Sequence, residues 1–335
     1  MKRTHLIALA WLTVAFGADR AALATLFTPG DILMVNATVS SPNGNKLYEY
    51  TPAGVQVRAI DIPGGSPRSV VLDKNGNAEI YDGTFGARLT TYNPVTGIFT
   101  FTTPANLNTV NNLTYGGIAA FGPYVYLSNM QLNSGQPPGG VVRVNVDDSS
   151  VARIADGFDA INLAVGLDGK LYTLSRGGAI NGGGTLVREY NPISLQFIRS
   201  VSLPDEHRAL AVDAAGNIYA DGIERFTPAG VLIDSHTVSG NTSVRLTTTG
   251  KVLTGDWAGT FSLTDTTFGS VSRFFLNPSQ PISGGVAFVA PPVPEPSSLV
   301  MLAIGGLALG RANLRRQSRS LNWRICGSRR FISEG

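Results

Sequence analysis

The sequence predicts an all-β domain built from six repeated four-stranded units. Three observations predict it. A glycine followed by a short strand recurs at Gly30, Gly76, Gly122, Gly169, Gly216 and Gly250, at spacings of 46, 46, 47, 47 and 34 residues. A small apolar strand precedes most of these glycines. An aromatic residue, one polar residue and a proline then follow in several of the units. Repeats of ~40–50 residues carrying four strands each are what the blades of a β-propeller require.

Each unit opens on its innermost strand. Arg68–Leu72, Gly117–Phe121, Asn162–Val165 and Arg208–Val212 are short, small and apolar, as a strand buried on both faces must be. The glycine turn follows, and glycine suits it because it accepts positive φ without steric cost. The second strand is aromatic and branched, as in Ala78-Glu-Ile-Tyr81 and Leu171-Tyr-Thr-Leu174. The third strand ends in Tyr50-Thr-Pro52, Tyr92-Asn-Pro94, Tyr190-Asn-Pro192 or Phe226-Thr-Pro228. Proline presets φ for a turn into the fourth, outermost strand.

The first unit starts too late, because Gly30 already occupies its turn position. The missing strand is found at the far end of the domain, in Ser283-Gly-Gly-Val-Ala-Phe-Val289. The expectation is a six-bladed propeller over residues 25–290, closed by its N- and C-terminal strands, with 283–289 lying beside 31–36.

The two ends of the chain differ from this body. Lys2 and Arg3 precede an apolar run from Leu6 to Ala18, and Ala22-Leu-Ala24 supplies the small-x-small pattern of signal cleavage. Residues 1–24 therefore read as a signal peptide whose apolar segment is helical. At the other end, residues 291–298 form a Pro-rich linker containing Pro294-Glu295-Pro296. Residues 299–310 are apolar or glycine throughout, and Arg311, Arg315 and Arg316 follow directly. A basic cluster after an apolar helix stays in the cytoplasm, so the domain before it faces outward. Twelve helical residues span roughly 18 Å against the ~30 Å of a hydrocarbon core, short for a permanent anchor.

The order of Val293-Pro-Glu-Pro-Ser-Ser298, a short Gly/Leu/Ala helix and an Arg cluster resembles the PEP-CTERM sorting signal of Gram-negative bacteria. The resemblance implies recognition by an exosortase, a membrane processing enzyme, and delivery to the cell surface or the exopolymer matrix. Residues 299–317 then form the helix and basic cluster of the sorting tail. Residues 318–335 depart from the family pattern as a further basic extension containing Trp323 and Cys326. Val212-Asp-Ala-Ala-Gly-Asn-Ile-Tyr219 resembles the repeats of NHL, SMP-30 and YVTN-type propellers.

Charge and cysteine content narrow the function classes. The chain carries a formal +3, but seven Arg and a single Glu lie in residues 311–335. The body between the tails is mildly acidic, which argues against nucleic acid as a partner, since phosphate contacts need clustered Lys and Arg. The single cysteine, Cys326, lies in the basic tail, so the domain has no disulfide, no thiol nucleophile and no Cys-based zinc site.

Catalytic motifs with fixed spacing are absent, including H-E-x-x-H, G-x-S-x-G and the phosphate-binding loop. Asn181-Gly-Gly-Gly184 lacks the lysine of a phosphate cradle and reads as a loop. Asp73, Asp168 and Asp213 precede turn glycines and could offer oxygen to Ca²⁺. The same residues are ordinary turn formers, because their carboxylates bond to nearby backbone. Asn36, Asn112 and Asn241 match the glycosylation pattern, but the bacterial origin that the resemblance implies gives them no presumption of use. His207, beside Asp205 and Glu206, lies just before an inner strand and reads as a solvated loop histidine near one mouth of the ring. Three functions remain in view: a binding module that engages an extracellular polymer or protein, a metal-dependent hydrolase or lactonase of the SMP-30-like type, or a purely structural repeat without a ligand. The second needs carboxylates from several blades to meet at the central channel.

Overall fold

The computed structural model describes residues 26–36, 45–82, 87–105, 107–108, 116–130, 139–154, 158–176, 184–221, 224–236, 241–247, 249–256, 260–268, 271–275 and 286–289. These residues lie in one compact unit that ends at Ala290. They form six antiparallel four-stranded sheets, the blades of a β-propeller.

Blade 1 contains β1 (Ile32–Asn36), β2 (Lys46–Tyr50) and β3 (Gln56–Asp61). Blade 2 is β4 (Pro67–Leu72), β5 (Ala78–Asp82), β6 (Arg88–Asn93) and β7 (Ile98–Thr102). Blade 3 is β8 (Ile118–Phe121), β9 (Tyr124–Asn129), β10 (Gly140–Asn145) and β11 (Val151–Ile154). Blade 4 is β12 (Ala160–Val165), β13 (Leu171–Arg176), β14 (Gly184–Tyr190) and β15 (Phe197–His207). Blade 5 is β16 (Leu210–Val212), β17 (Ile218–Ala220), β18 (Glu224–Phe226) and β19 (Leu232–Ser235). Blade 6 is β20 (Asn241–Leu246), β21 (Lys251–Asp256), β22 (Thr260–Asp265) and β23 (Val271–Phe275). The last strand, β24 (Val286–Phe288), supplies the innermost position of blade 1, paired antiparallel to β1 with Leu33 opposite Ala287. The Gly30 N–H donates to the Val289 carbonyl at 2.8 Å and the Val289 N–H to the Asp31 carbonyl at 2.9 Å.

The innermost strands touch their neighbours in the order β24, β4, β8, β12, β16 and β20, and β20 in turn touches β24. Because strands alternate in direction within each blade, the turns from first to second strand and from third to fourth share one rim. All six turn glycines lie on that rim with positive φ, from 55° at Gly122 to 94° at Gly30. The remaining connections emerge at the opposite rim.

The core lies between adjacent blades. The tyrosines of the second strands, Tyr81, Tyr126, Tyr172 and Tyr219, are almost wholly buried, and each fills the space against a neighbouring sheet. Tyr81 and Leu89 of blade 2, for example, share a cluster with Ile118, Val125 and Leu127 of blade 3. Each such tyrosine contributes roughly 2–3 kcal/mol of burial if its hydroxyl keeps a partner. Tyr126 has one: its hydroxyl donates to the Pro192 carbonyl of blade 4 at 2.7 Å.

The turns between third and fourth strands join blade to blade. Arg143 on β10 donates to the Ile193 carbonyl, in the blade 4 turn. Arg199 on β15 reaches the Pro228 carbonyl at 2.9 Å, and Arg225 on β18 the Thr266 carbonyl at 2.8 Å. A guanidinium suits this task because it stays charged while bonding two or more acceptors in fixed geometry. Arg225 also holds Asp234 at 2.7 Å within its own blade.

Candidate functional site

The three turn aspartates sit in three separate blades, on the rim of the glycine turns. Asp73 Oδ1 accepts the N–H groups of Asn75 and Asn77, both at 2.8 Å. Asp213 repeats the arrangement with Ala215 at 2.9 Å and Asn217 at 2.8 Å. Asp168 accepts the Tyr172 hydroxyl at 2.7 Å and the Lys170 N–H at 3.3 Å. All three carboxylates are thus engaged by their own turns, and the fold keeps them apart. Among the described residues no group of three or more His, Cys, Asp or Glu is placed to hold a metal ion.

His207 differs from its sequence expectation. It is buried rather than solvated, because β15 runs eleven residues and carries His207 into pairing with Gly184 of β14. Its ring meets Phe226 edge-on at 5.5 Å, and burial lowers its pKa against the pull of Asp205. Glu224 lies 3.6 Å from Nδ1, beyond a hydrogen bond. The neutral histidine is a packing residue of blades 4 and 5.

Two carboxyls, Glu79 and Asp221, are shifted furthest upward in pKa. Burial pushes Glu79 on β5 up to about 8, with Asp73 adding to the rise and the Thr91 hydroxyl opposing it. Asp221, just after β17, is pushed to about 6 by burial. It accepts the N–H groups of Arg208 and Ala209 at 2.8 and 2.7 Å, which ties the start of an inner strand to its neighbour. Asp82 does the same in blade 2 by accepting the Ser66 N–H at 2.6 Å. These carboxyls serve the sheets.

Among the described residues a concave site lies at the central channel. A cavity of about 110 Å³ is lined by the inner strands of five blades, among them Val71, Ala120, Ala164, Ala211 and Leu246. Its lining extends to Leu167 in the turn between β12 and β13, which places it toward the glycine-turn rim. One charged side chain, Arg245 of β20, stands in this apolar wall. Its guanidinium donates to the Ile118 carbonyl of blade 3 at 3.2 Å, to Ser69 Oγ of blade 2 at 3.4 Å and to the Val244 carbonyl at 3.0 Å. Arg245 is half-buried by accessible surface, and the protein around it is dense enough to lower its pKa to about 10 by desolvation alone.

Sequence reasoning passed over this residue, although register could have found it. Counting back five residues from the turn glycine gives Val71, Ala164 and Ala211 in three blades, and Arg245 in the sixth.

Cleavage residues Ala22 and Ala24, motif residues Pro294, Glu295 and Pro296, the apolar segment 299–310, Arg311, Arg315, Arg316 and the 318–335 extension all lie outside the described residues. Among the described residues no helix is long and apolar enough to cross a membrane. The tail is decided by comparison with known families. Residues 292–317 match the PEP-CTERM protein-sorting motif. The motif implies an exported protein that an exosortase processes.

No curated protein matches the chain. Solved structures resemble its fold. TolB from Acinetobacter baumannii aligns over 78% of this chain and 67% of its own, at 14% identity and a TM-score of 0.61. A nidogen/laminin complex aligns over 78% of this chain and 99% of the matched chain, at 12% identity and 0.58. A protein of unknown function from Bacteroides caccae aligns over 78% and 98%, at 13% identity and 0.52. At such identities the likeness concerns the propeller alone.

Proposed function

We propose that this chain is exported, sorted through its PEP-CTERM tail and displayed at the cell surface or in the extracellular matrix, where the propeller acts as a binding module. The match of residues 292–317 to the sorting motif carries this reading. The N-terminal basic-apolar pattern supports export, and the shortness of the 299–310 segment supports a tail that is processed rather than permanent. In this reading β24 locks the ring by completing blade 1, and the chain passes from β24 directly into the Pro-rich linker.

The propeller surface suits an interaction role. Val55, Val95, Ile193 and Val231 follow the third-strand turns of four blades and are 54–63% exposed. They set apolar side chains along one rim, where a partner could touch several blades together. The hydrolase alternative finds less support, since the described channel wall is apolar with one cation and the candidate aspartates stand in their turns.

Processing is tested by intact-mass measurement of protein extracted from the cell surface. The mature species should end near residues 291–298 and lack the apolar segment. Glu295→Ala should leave full-length protein in the inner membrane. Full-length protein alone, both in the natural chain and in one ending at Gln317, would reject the sorting reading.

A further inference from the structure

We infer that the central cavity is a binding site for a small monocarboxylate, with the carboxylate on Arg245 and a short apolar group against the inner strands of blades 2 to 5. The inference stands on the geometry of the channel and does not depend on how the tail is processed.

Charge singles out Arg245. Among the described residues no carboxylate pairs with it, and its bonds go to two carbonyls and a hydroxyl. A guanidinium has five N–H donors, so the Nε–H and one Nη1–H make no bond to a described residue. Arg245 is partly withdrawn from water in an apolar wall, and a cation so placed without a counter-charge gains by pairing with an anion. An anion entering the cavity would gain charge-assisted bonds in a medium of low dielectric.

Size and lining select the anion. A cavity of about 110 Å³ is of the size that takes a small organic anion. It admits a carboxylate with a few further heavy atoms. The wall offers a single cation, which balances one negative charge, so dicarboxylates and phosphate fit less well. The remaining surface, from Val71 through Ala120, Ala164, Ala211 and Val212 to Leu246, is apolar and suits a short hydrocarbon chain. Small residues at 164 and 211 leave the space that larger ones would fill.

Arg245 could instead be only a tie between blades 2, 3 and 6. Butyrate and its neutral analogue butyramide separate the two roles when titrated calorimetrically into the full chain purified from cells. Butyrate should bind the natural protein and raise its Tm, with butyramide at least about tenfold weaker because it forfeits the charge-assisted pair. Arg245→Gln should abolish butyrate binding. Should that variant fail to fold, Ala164→Leu provides the independent control, since it fills the cavity while leaving Arg245 in place, and it too should lose butyrate. Equal binding of butyrate and butyramide, unaltered binding in Ala164→Leu, or no heat from butyrate in the natural protein up to tens of millimolar would each overturn the inference.

Discussion

A buried carboxyl in a sheet is stable there mainly as a neutral group, and Glu79 is such a carboxyl. Its pKa is 4.5 in an ordinary setting and about 8 in the fold, chiefly through burial. Between those values the folded chain keeps a proton that the unfolded chain has released. Stability from this group is therefore full below about pH 4.5, falls as the pH rises toward about 8, and levels beyond. Glu79→Gln preserves an acceptor for the Thr91 hydroxyl, which lies 2.8 Å from Oε2, and cannot ionise. The expected outcome is a variant whose Tm advantage over the natural protein is small at pH 5 and grows by pH 9. Scanning fluorimetry across that range checks it, and a constant difference would show that Glu79 does not titrate with folding. Tyr126 supplies a second residue-scale test. Replacing it with Phe keeps the ring but removes the donor to the Pro192 carbonyl, which should cost roughly 1 kcal/mol in denaturant unfolding.

The turn is the element that repeats most faithfully, and it explains why so much of the architecture can be read before folding. Positive φ at a fixed place favours glycine, and a carboxylate or hydroxyl three residues earlier bonds the loop backbone, so Asp73 and Asp213 recur with the same partners. Inner strands with small side chains follow from crowding near the axis. Arg245 and His207 were less legible for the same reason in reverse. Each depends on contacts from other blades, and the sixth inner strand departs from the small-residue pattern that marks the rest. The paired glycines of blade 5 give a graded test. Gly216 has φ +82° and its added Cβ would meet Pro228 at 3.4 Å, an ordinary contact. Alanine there should cost about 1–2 kcal/mol, the strain of the left-handed conformation alone. Gly230 has the same φ, but its Cβ would stand 2.5 Å from the Ser202 carbonyl oxygen of blade 4. Gly230→Ala should therefore be distinctly worse than Gly216→Ala in urea unfolding. Similar losses at both positions would mean that the blade 4–blade 5 contact yields without cost.

At the scale of the whole molecule, a toroidal sheet arrangement must solve one problem that its repeats cannot: where the chain ends, two blades would part. In this chain the break falls within blade 1 rather than between blades, since β24 from the C-terminal side pairs with β1 from the N-terminal side. The proposed lock ties the stability of the entire ring to a three-residue strand. Without it, β1 would present an unpaired edge, and β4 and β20 would lose the inner strand that both touch. Ala287 is the place to strike, because it is 4% exposed and packs with Leu33, Val35 and Val70 in the blade 1–blade 2 core. Ala287→Glu should bury an unpaired carboxylate at a cost of several kcal/mol, and at about 2–4 °C per kcal/mol for a chain of this size the Tm should fall by roughly 10 °C. Removing residues 281–290 should do at least as much, and it should broaden the unfolding transition as cooperation between blades is lost. If the ring is held by the remaining inter-blade contacts alone, both changes will leave unfolding sharp and close to that of the natural protein, and the lock will have been assigned to the wrong strand.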